Sequence, residues 1–234
     1  ALPILLAGAL CGGLWAAIAG WLKVRLGLNE VVTTIMLNYI AIGIVGYLVT
    51  GPMQEASRYN PQTDEIAAGM VLPRLLPGMR VHAGFLLALI LPVLAALLLF
   101  RTPRGFALRA VGFNPEAAQH AGINVNRQYV LAISLSGATA GIAGTVEVLG
   151  VIGRLYENIS PGYGFTGIAV SLLAANHPIG TIFSGLLFGA LTTGAELMQL
   201  TAKIPSAMTF ILQGLIIAFL VSFRAMQGRV WRRG

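Results

Sequence analysis

Charge is scarce in this chain. Only 10% of its 234 residues are Asp, Glu, Lys or Arg, against about 25% in an ordinary soluble domain, which argues against a water-solvated fold. Acid is scarcer still, with eight Asp and Glu against 15 Lys and Arg. The acids in or near apolar runs, Glu30, Glu147 and Glu196, are too few and too scattered for a proton relay. There is one cysteine, Cys11, inside an apolar run, so no disulfide framework and no cysteine metal site is expected. The three histidines, His82, His120 and His177, stand far apart, which makes a shared metal improbable. G-x-x-x-x-G-K-[ST] is missing, and with it a P-loop; H-E-x-x-H and G-x-S-x-G are missing too. No catalytic constellation is left. The chain opens on Ala1 and runs straight into apolar sequence without the basic region of a signal peptide. Further helices are therefore expected upstream. No repeat of 20 to 50 residues stands out.

What is present is apolar. Hydrophobic residues make up 56% of the chain and its mean hydropathy is +0.80. The expectation is an integral membrane protein: an all-α polytopic bundle forming a single transmembrane domain over 1–234. The net charge of +7 sits beside the apolar runs. Topology and anionic lipid account for it, and nucleic acid is not implied.

Ala1 to Leu22 is long enough to span, since a bilayer core takes roughly 20 apolar residues. Gly8, Gly12, Ala16 and Gly20 fall four apart and give it a smooth face for close helix approach. Lys23 and Arg25 then mark the cytoplasmic side. Asn29 caps a second span to Thr50, with Glu30 favoured in the first turn by the helix dipole; a pathway role for Glu30 is the alternative. Asn38 lies deeper, where an amide must bond a neighbour or face a polar cavity. Residues 51–81 are polar and proline-rich, with Arg58, Arg74 and Arg80 offset by Glu55, Asp64 and Glu65, and read as an external loop. His82 to Phe100 returns inward with a kink at Pro92.

Residues 101–127 form a basic island. Arg101, Arg104, Arg109 and Arg127 stand against one acid, Glu116. Asn114-Pro115-Glu116 is a helix start, with an N-cap, a proline at the first position and an acid in the first turn. Ala117, Ala118, Gln119 and His120 continue it and Gly122 stops it. This short helix on the cytoplasmic face is either a solvated connection or a docking element for a soluble partner.

Gln128 to Gly150 then goes outward. It carries one row of Ser134, Ala138 and Ile142, and small-residue pairs at Gly137, Gly141, Thr145 and at Ala140, Gly144. Glu147 near its outer end reaches the interface or faces water. The arginine-rich tail after Phe223 belongs inside, which makes Ser206 to Phe223 an inward span and puts Lys203 outside. The stretch between Gly164 and Lys203 must then enter and leave by one face. Phe165 to Ala175 is about 16 Å of helix, half a bilayer, and Asn176-His177-Pro178 breaks it. The reading is a re-entrant half-helix; two ordinary crossings with the tail outside is the alternative. Irregular backbone at depth survives only where it is buried or lines a cavity.

Four runs resemble one family. They are Asn29 to Ile40 (NEVVTTIMLNYI), Arg109 to Ala118 (RAVGFNPEAA) followed by Ala121-Gly122-Ile123, Ser136 to Gly144 (SGATAGIAG), and Gly162 to Val170 (GYGFTGIAV) with Asn176 to Gly180 (NHPIG) after it. In order along most of the chain, they resemble permease subunits of bacterial ABC importers for nucleosides and simple sugars, in the ribose-type and branched-chain-type superfamily. The first run favours the nucleoside-like branch.

The resemblance implies partners. Two permease subunits, a homodimer or heterodimer, form the channel. Two cytoplasmic ABC ATPases bind ATP and Mg, while this chain binds no cofactor, metal or catalytic group. A substrate-binding lipoprotein or periplasmic protein delivers solute at a bacterial plasma (inner) membrane. Carried over, Asn114, Pro115, Glu116, Ala117, Ala118 and Gly122 form the ATPase-coupling helix. A nucleoside carries hydroxyls and a flat base, so the pathway candidates are Asn38, Glu147 and Asn176 with the aromatics Tyr39 and Phe165. The chain departs from the family in two places. Relatives usually carry further N-terminal helices, which are expected upstream of this sequence, and Ala174 and Ala175 stand where relatives commonly have glycine and a basic residue. The rival reading is a stand-alone secondary transporter or channel for a small polar solute, which would need coupling-ion ligands; a non-transporting scaffold is a third.

Overall fold

In a computed structural model the chain is built from helices, and the described residues are 1–75, 81–160 and 162–202, with positions 208, 211, 214, 215, 218 and 219 beyond them. The helices are α1 (Leu2–Leu26), α2 (Glu30–Thr50), α3 (Gly84–Arg101), α4 (Pro103–Phe113), α5 (Pro115–His120), α6 (Val125–Glu147), α7 (Tyr163–Leu173) and α8 (Gly180–Ala202), with a 3-10 turn at Ala68–Met70 and a π turn at Val148–Ile152. Among the described residues there is no strand, only isolated bridging pairs Gln62↔Tyr156 and Arg74↔His82. Among the described residues five helical stretches are long and apolar enough to cross a membrane: α1, α2, α3, α6 with its π turn, and α8. The architecture is an all-α polytopic bundle. Arg80, Lys203, most of the Ser206 to Phe223 span and the arginine tail lie outside the described residues.

The chain forms two compact units, one of Ala1–Leu91 with Leu97–Ile159, the other of Pro92–Ala96 with the chain from Ser160 onward. The first is organised by an antiparallel seam between α1 and α6. Without side chains, glycine backbones approach closely enough for dispersion contacts to replace the missing hydrophobic drive between helices in lipid. A methyl placed on Gly12 would lie 2.9 Å from the Gly141 Cα and closer still to the Gly137 carbonyl; one on Gly8 would run into the Thr145 hydroxyl. Gly20 meets Val130 at the other end. Thr145 Oγ donates to the Gly141 carbonyl at 2.8 Å, so its hydroxyl is satisfied within the helix. Of the two small-residue pairs on α6, the Gly137–Gly141–Thr145 row makes the seam, while Gly144 has nothing within 4 Å.

α1 continues through Lys23 and Arg25 to Leu26, so both cations sit in its last turn, where the helix dipole favours them. Gly27 then ends it in the left-handed region, φ 66°, with its N–H donating to the Lys23 carbonyl. The Asn29 side chain accepts from Val31 N–H at 2.9 Å and caps α2. Glu30 has a partner beyond the dipole: Lys23 Nζ lies 2.8 Å from its carboxylate and 4.3 Å above the Tyr129 ring.

The α2–α3 loop is less solvated than its polar composition predicts. Leu72 is 4% exposed and packs with Leu5 of α1 and Leu149 of the π turn. Its N–H donates to the Leu149 carbonyl at 3.0 Å, Ile66 N–H to Gly153 at 3.0 Å, and Thr63 N–H to Leu155 at 2.9 Å. The loop thus lies across the C-terminal end of α6.

In the second unit α7 is 11 residues long, about 16 Å, and α8 follows a broken stretch. Ala175 and Asn176 both have left-handed backbones, φ 56° and 57°. A side chain strains against the carbonyl there.

Candidate functional site

The basic island folds into two short helices rather than one. Thr102 caps α4, its hydroxyl accepting from Gly105 N–H at 3.0 Å, and Pro103 takes the first position as its fixed φ permits. Gly105 is obligatory, because a methyl there would stand 2.6 Å from the Leu99 carbonyl. This helix went unread because its arginines conceal the period. The Thr-Pro start was the available signal. Arg109 on α4 stacks over Phe100, 5.0 Å to the ring centre. Its Nε and the Oε1 of Gln128 on α6 are buried with no hydrogen-bond partner among the described residues.

α5 follows immediately. The Asn114 side chain accepts from Ala117 N–H at 3.0 Å, Pro115 opens the first turn and Glu116 lies in it. At the other end Ile123 N–H donates to Ala118 and Gly122 N–H to Gln119, each at 3.0 Å, around Gly122 at φ 80°. This is a Schellman stop, and only glycine takes its left-handed position without strain. Ala118 is buried at 4% exposure, whereas Glu116, Ala117, Gln119 and His120 face out. Phe113 is 89% exposed. It holds the position from which a hydrophobic residue often packs back onto the first turn, but here its ring is free. The result is a short, doubly capped helix with an apolar ring at its entry, joined to α6 through Ile123 and the Asn124 cap.

The pathway candidates are divided between the units. Asn38 and Tyr39 stand together, exposed, near the middle of α2, and Glu147 is half-buried on the last turn of α6. Among the described residues no hydrogen bond joins these three. In the second unit Phe165 is 73% exposed on α7. Asn176 Oδ1 accepts from Ser171 Oγ at 2.9 Å, and Asn176 N–H donates to the Ser171 carbonyl at 2.9 Å. The asparagine therefore caps the break. Beside it an open cleft of about 380 Å³ is lined mainly by Leu173, Ala175, Phe183 and Leu187.

The C-terminal end of α6 carries a second polar group that sequence reasoning left unassigned. Arg154 places Nη2 2.6 Å from Glu65 and Nη1 3.4 Å from Glu55. Glu55 also accepts from Ser57 Oγ at 2.5 Å, Gln62 Nε2 at 2.7 Å and Asn60 N–H at 3.2 Å. Ser57 first, then Gln62, hold its carboxyl below the usual glutamate range; the Glu65 hydrogen bond raises Arg154 above its ordinary value.

A helical bundle with five membrane-length helices among the described residues, and an exposed capped helix between two of them, defines a multi-pass membrane protein. Residues 1–221 match the family described as "Branched-chain amino acid transport system / permease component", and the chain belongs to it. It is 34% identical to the glucose ABC transporter permease protein TsgB13 of Haloferax volcanii over 94% of this chain and 61% of that protein. It is 35% identical to the guanosine ABC transporter permease protein NupP of Bacillus subtilis, over 100% of this chain and 69% of that one. Against the nucleoside ABC transporter permease protein NupB of Lactococcus lactis it is 32% identical, over 94% of this chain and 63% of NupB. The chain thus spans roughly two thirds of the length of these relatives. No solved structure matches it.

Proposed function

We propose that the chain is the membrane-spanning permease subunit of an ATP-driven importer that moves nucleosides or simple sugars by alternating access in a bacterial plasma (inner) membrane. The observation that carries this reading is α5, a short helix capped at both ends and presented to solvent beside basic residues. Asn114, Pro115, Glu116, Ala117, Ala118 and Gly122 make it a rigid knuckle that fits a groove on a separate cytoplasmic ATPase. That ATPase binds ATP and Mg, and this chain performs no catalysis. Pairing with a second permease follows from relatives that come as couples in one organism, NupB and NupC in Lactococcus lactis and NupP and NupQ in Bacillus subtilis. A substrate-binding lipoprotein or periplasmic protein delivers the solute. The names of the relatives, glucose, guanosine and nucleoside, favour a polyhydroxylated solute.

In the mechanism, ATP-driven closure of the partner dimer displaces α5, and the α1–α6 pair tilts with it as a rigid body. Asn38 and Asn176 offer amides to hydroxyls, Tyr39 and Phe165 offer faces to a flat base, and Glu147 accepts from hydroxyls. α7 with its break enters the membrane as a re-entrant half-helix, a common setting for a transport site. The test is co-purification of the cognate ATPase. Replacing Glu116, Ala117 and Ala118 by arginine removes the ATPase from a complex that otherwise assembles. Retention of the ATPase by that variant contradicts the assignment.

A further inference from the structure

Resting on that reading, we infer that Arg154 is a positioning residue that fastens the external loop to the outer end of the rod whose inner end carries the coupling helix. Load placed on the loop by the substrate-delivering protein therefore reaches the ATPase side. Three observations within the first unit carry this. First, α6 begins two residues after Ile123, across the Asn124 cap, and Ile123 donates to Ala118 of α5. Its 23 residues cover about 34 Å, so one helix runs from the knuckle to the far end. Second, the glycine seam locks α6 to α1. Backbones in direct contact cannot slide without losing all their contacts, so the pair moves as one body. Third, the loop is tied to the outer end of that body. The backbone bonds at Thr63, Ile66 and Leu72 hold it along its length. Arg154 bridges Glu65 and Glu55 at its tip.

Glu55 is the hinge of this arrangement. Its carboxylate and carbonyl also hold the tight turn through Ser57, Arg58 and Asn60, and Arg58 takes a left-handed backbone there, φ 51°. Removing the guanidinium leaves that turn closed and cuts the carboxylate ties of Glu55 and Glu65 to the rod, while the Gln62–Tyr156 pairing and the Thr63–Leu155 bonds still hold the loop there. The remaining backbone bonds keep the loop folded, so the fold survives while transmission slackens.

The experiment uses the full complex in nanodiscs, with permeases, ATPases and the cognate substrate-binding protein, and reads ATP hydrolysis with and without the saturated binding protein. Arg154→Ala keeps ATPase co-purification and basal hydrolysis, and its stimulation by the binding protein falls at least about five-fold; Arg154→Lys restores part of it. A covalent tie then replaces the ion pair. Gln62→Cys with Tyr156→Cys, in an Arg154→Ala and Cys11→Ala background, forms a disulfide at a bridging pair whose ordinary spacing suits one, and oxidation restores stimulation. Stimulation of Arg154→Ala equal to that of the unaltered complex overturns the inference, as does failure of the oxidised pair to restore it. An unaltered complex that holds no ATPase overturns the functional reading itself, and the inference with it.

Discussion

The α1–α6 seam and the exposed faces of α7 and α8 use the same residue in opposite ways. In the first, Gly8, Gly12, Gly137 and Gly141 lie where any side chain would strike backbone or a neighbouring helix. On α7 and α8, Gly164, Gly167, Gly185, Gly189 and Gly194 have nothing among the described residues within 4 Å of where a side chain would begin. A glycine-rich membrane helix is therefore not by itself a packed helix. The seam shows glycine as a contact surface already filled. The second unit shows glycine on open faces, next to a short helix and a break held by two strained non-glycine residues.

The largest effect should come from filling the seam. Gly12→Leu or Gly137→Leu overpacks a contact that has no room to relax, and is expected to lower stability by about 3 kcal/mol or more. Gly189→Ala should change it by no more than about 0.5 kcal/mol. Thermal melts of the purified chain in detergent read both, and equal losses would erase the contrast. A smaller effect, of opposite sign, belongs to the break: Ala175→Gly relieves a left-handed backbone and should stabilise by about 1 kcal/mol. Destabilisation there would mean that the methyl group is needed in the cleft it helps to line.

The smallest effect concerns pH. Glu55 is held below the ordinary glutamate range by Ser57 and Gln62, so its contribution is complete above that range and is lost as pH falls through the depressed value. The loop should therefore stay tied through mild acid and loosen only once pH falls below the ordinary glutamate range. Hydrogen exchange at Thr63 and Ile66 reads this, while protection along the seam should not follow pH. Loosening near neutrality would contradict the account of Glu55.

Much of the fold was legible because its signals are local. Asn29, Asn114 and Gly122 announce helix ends by side-chain chemistry alone, and the structure places ends there. The four-residue glycine spacing on α1 marked a packing face, and it is the face used. Choosing between the two small-residue rows on α6 was beyond sequence reasoning, because that choice depends on how α6 is rotated against α1. The burial of Leu72 was hidden for a similar reason: its loop is polar on average, and one leucine reaches the core only because the π turn brings Leu149 and Gly153 within bonding distance. α4 was missed where arginines mask the period. The site was legible only in part. The caps of α5 were readable, but the exposure of Phe113 depends on the surrounding fold, and the Ser171–Asn176 bond and the Arg154 bridge each need a partner that no spacing rule supplies.

The central claim is that α5 faces the cytoplasm, where a separate ATPase engages it. A single cysteine at Gln119, exposed on that helix, in a Cys11→Ala background, reports its side directly through a membrane-impermeant maleimide. The account predicts labelling in inverted membrane vesicles, blocked when the cognate ATPase is bound, and none in intact cells. Labelling of intact cells would put the helix on the wrong face and contradict the importer.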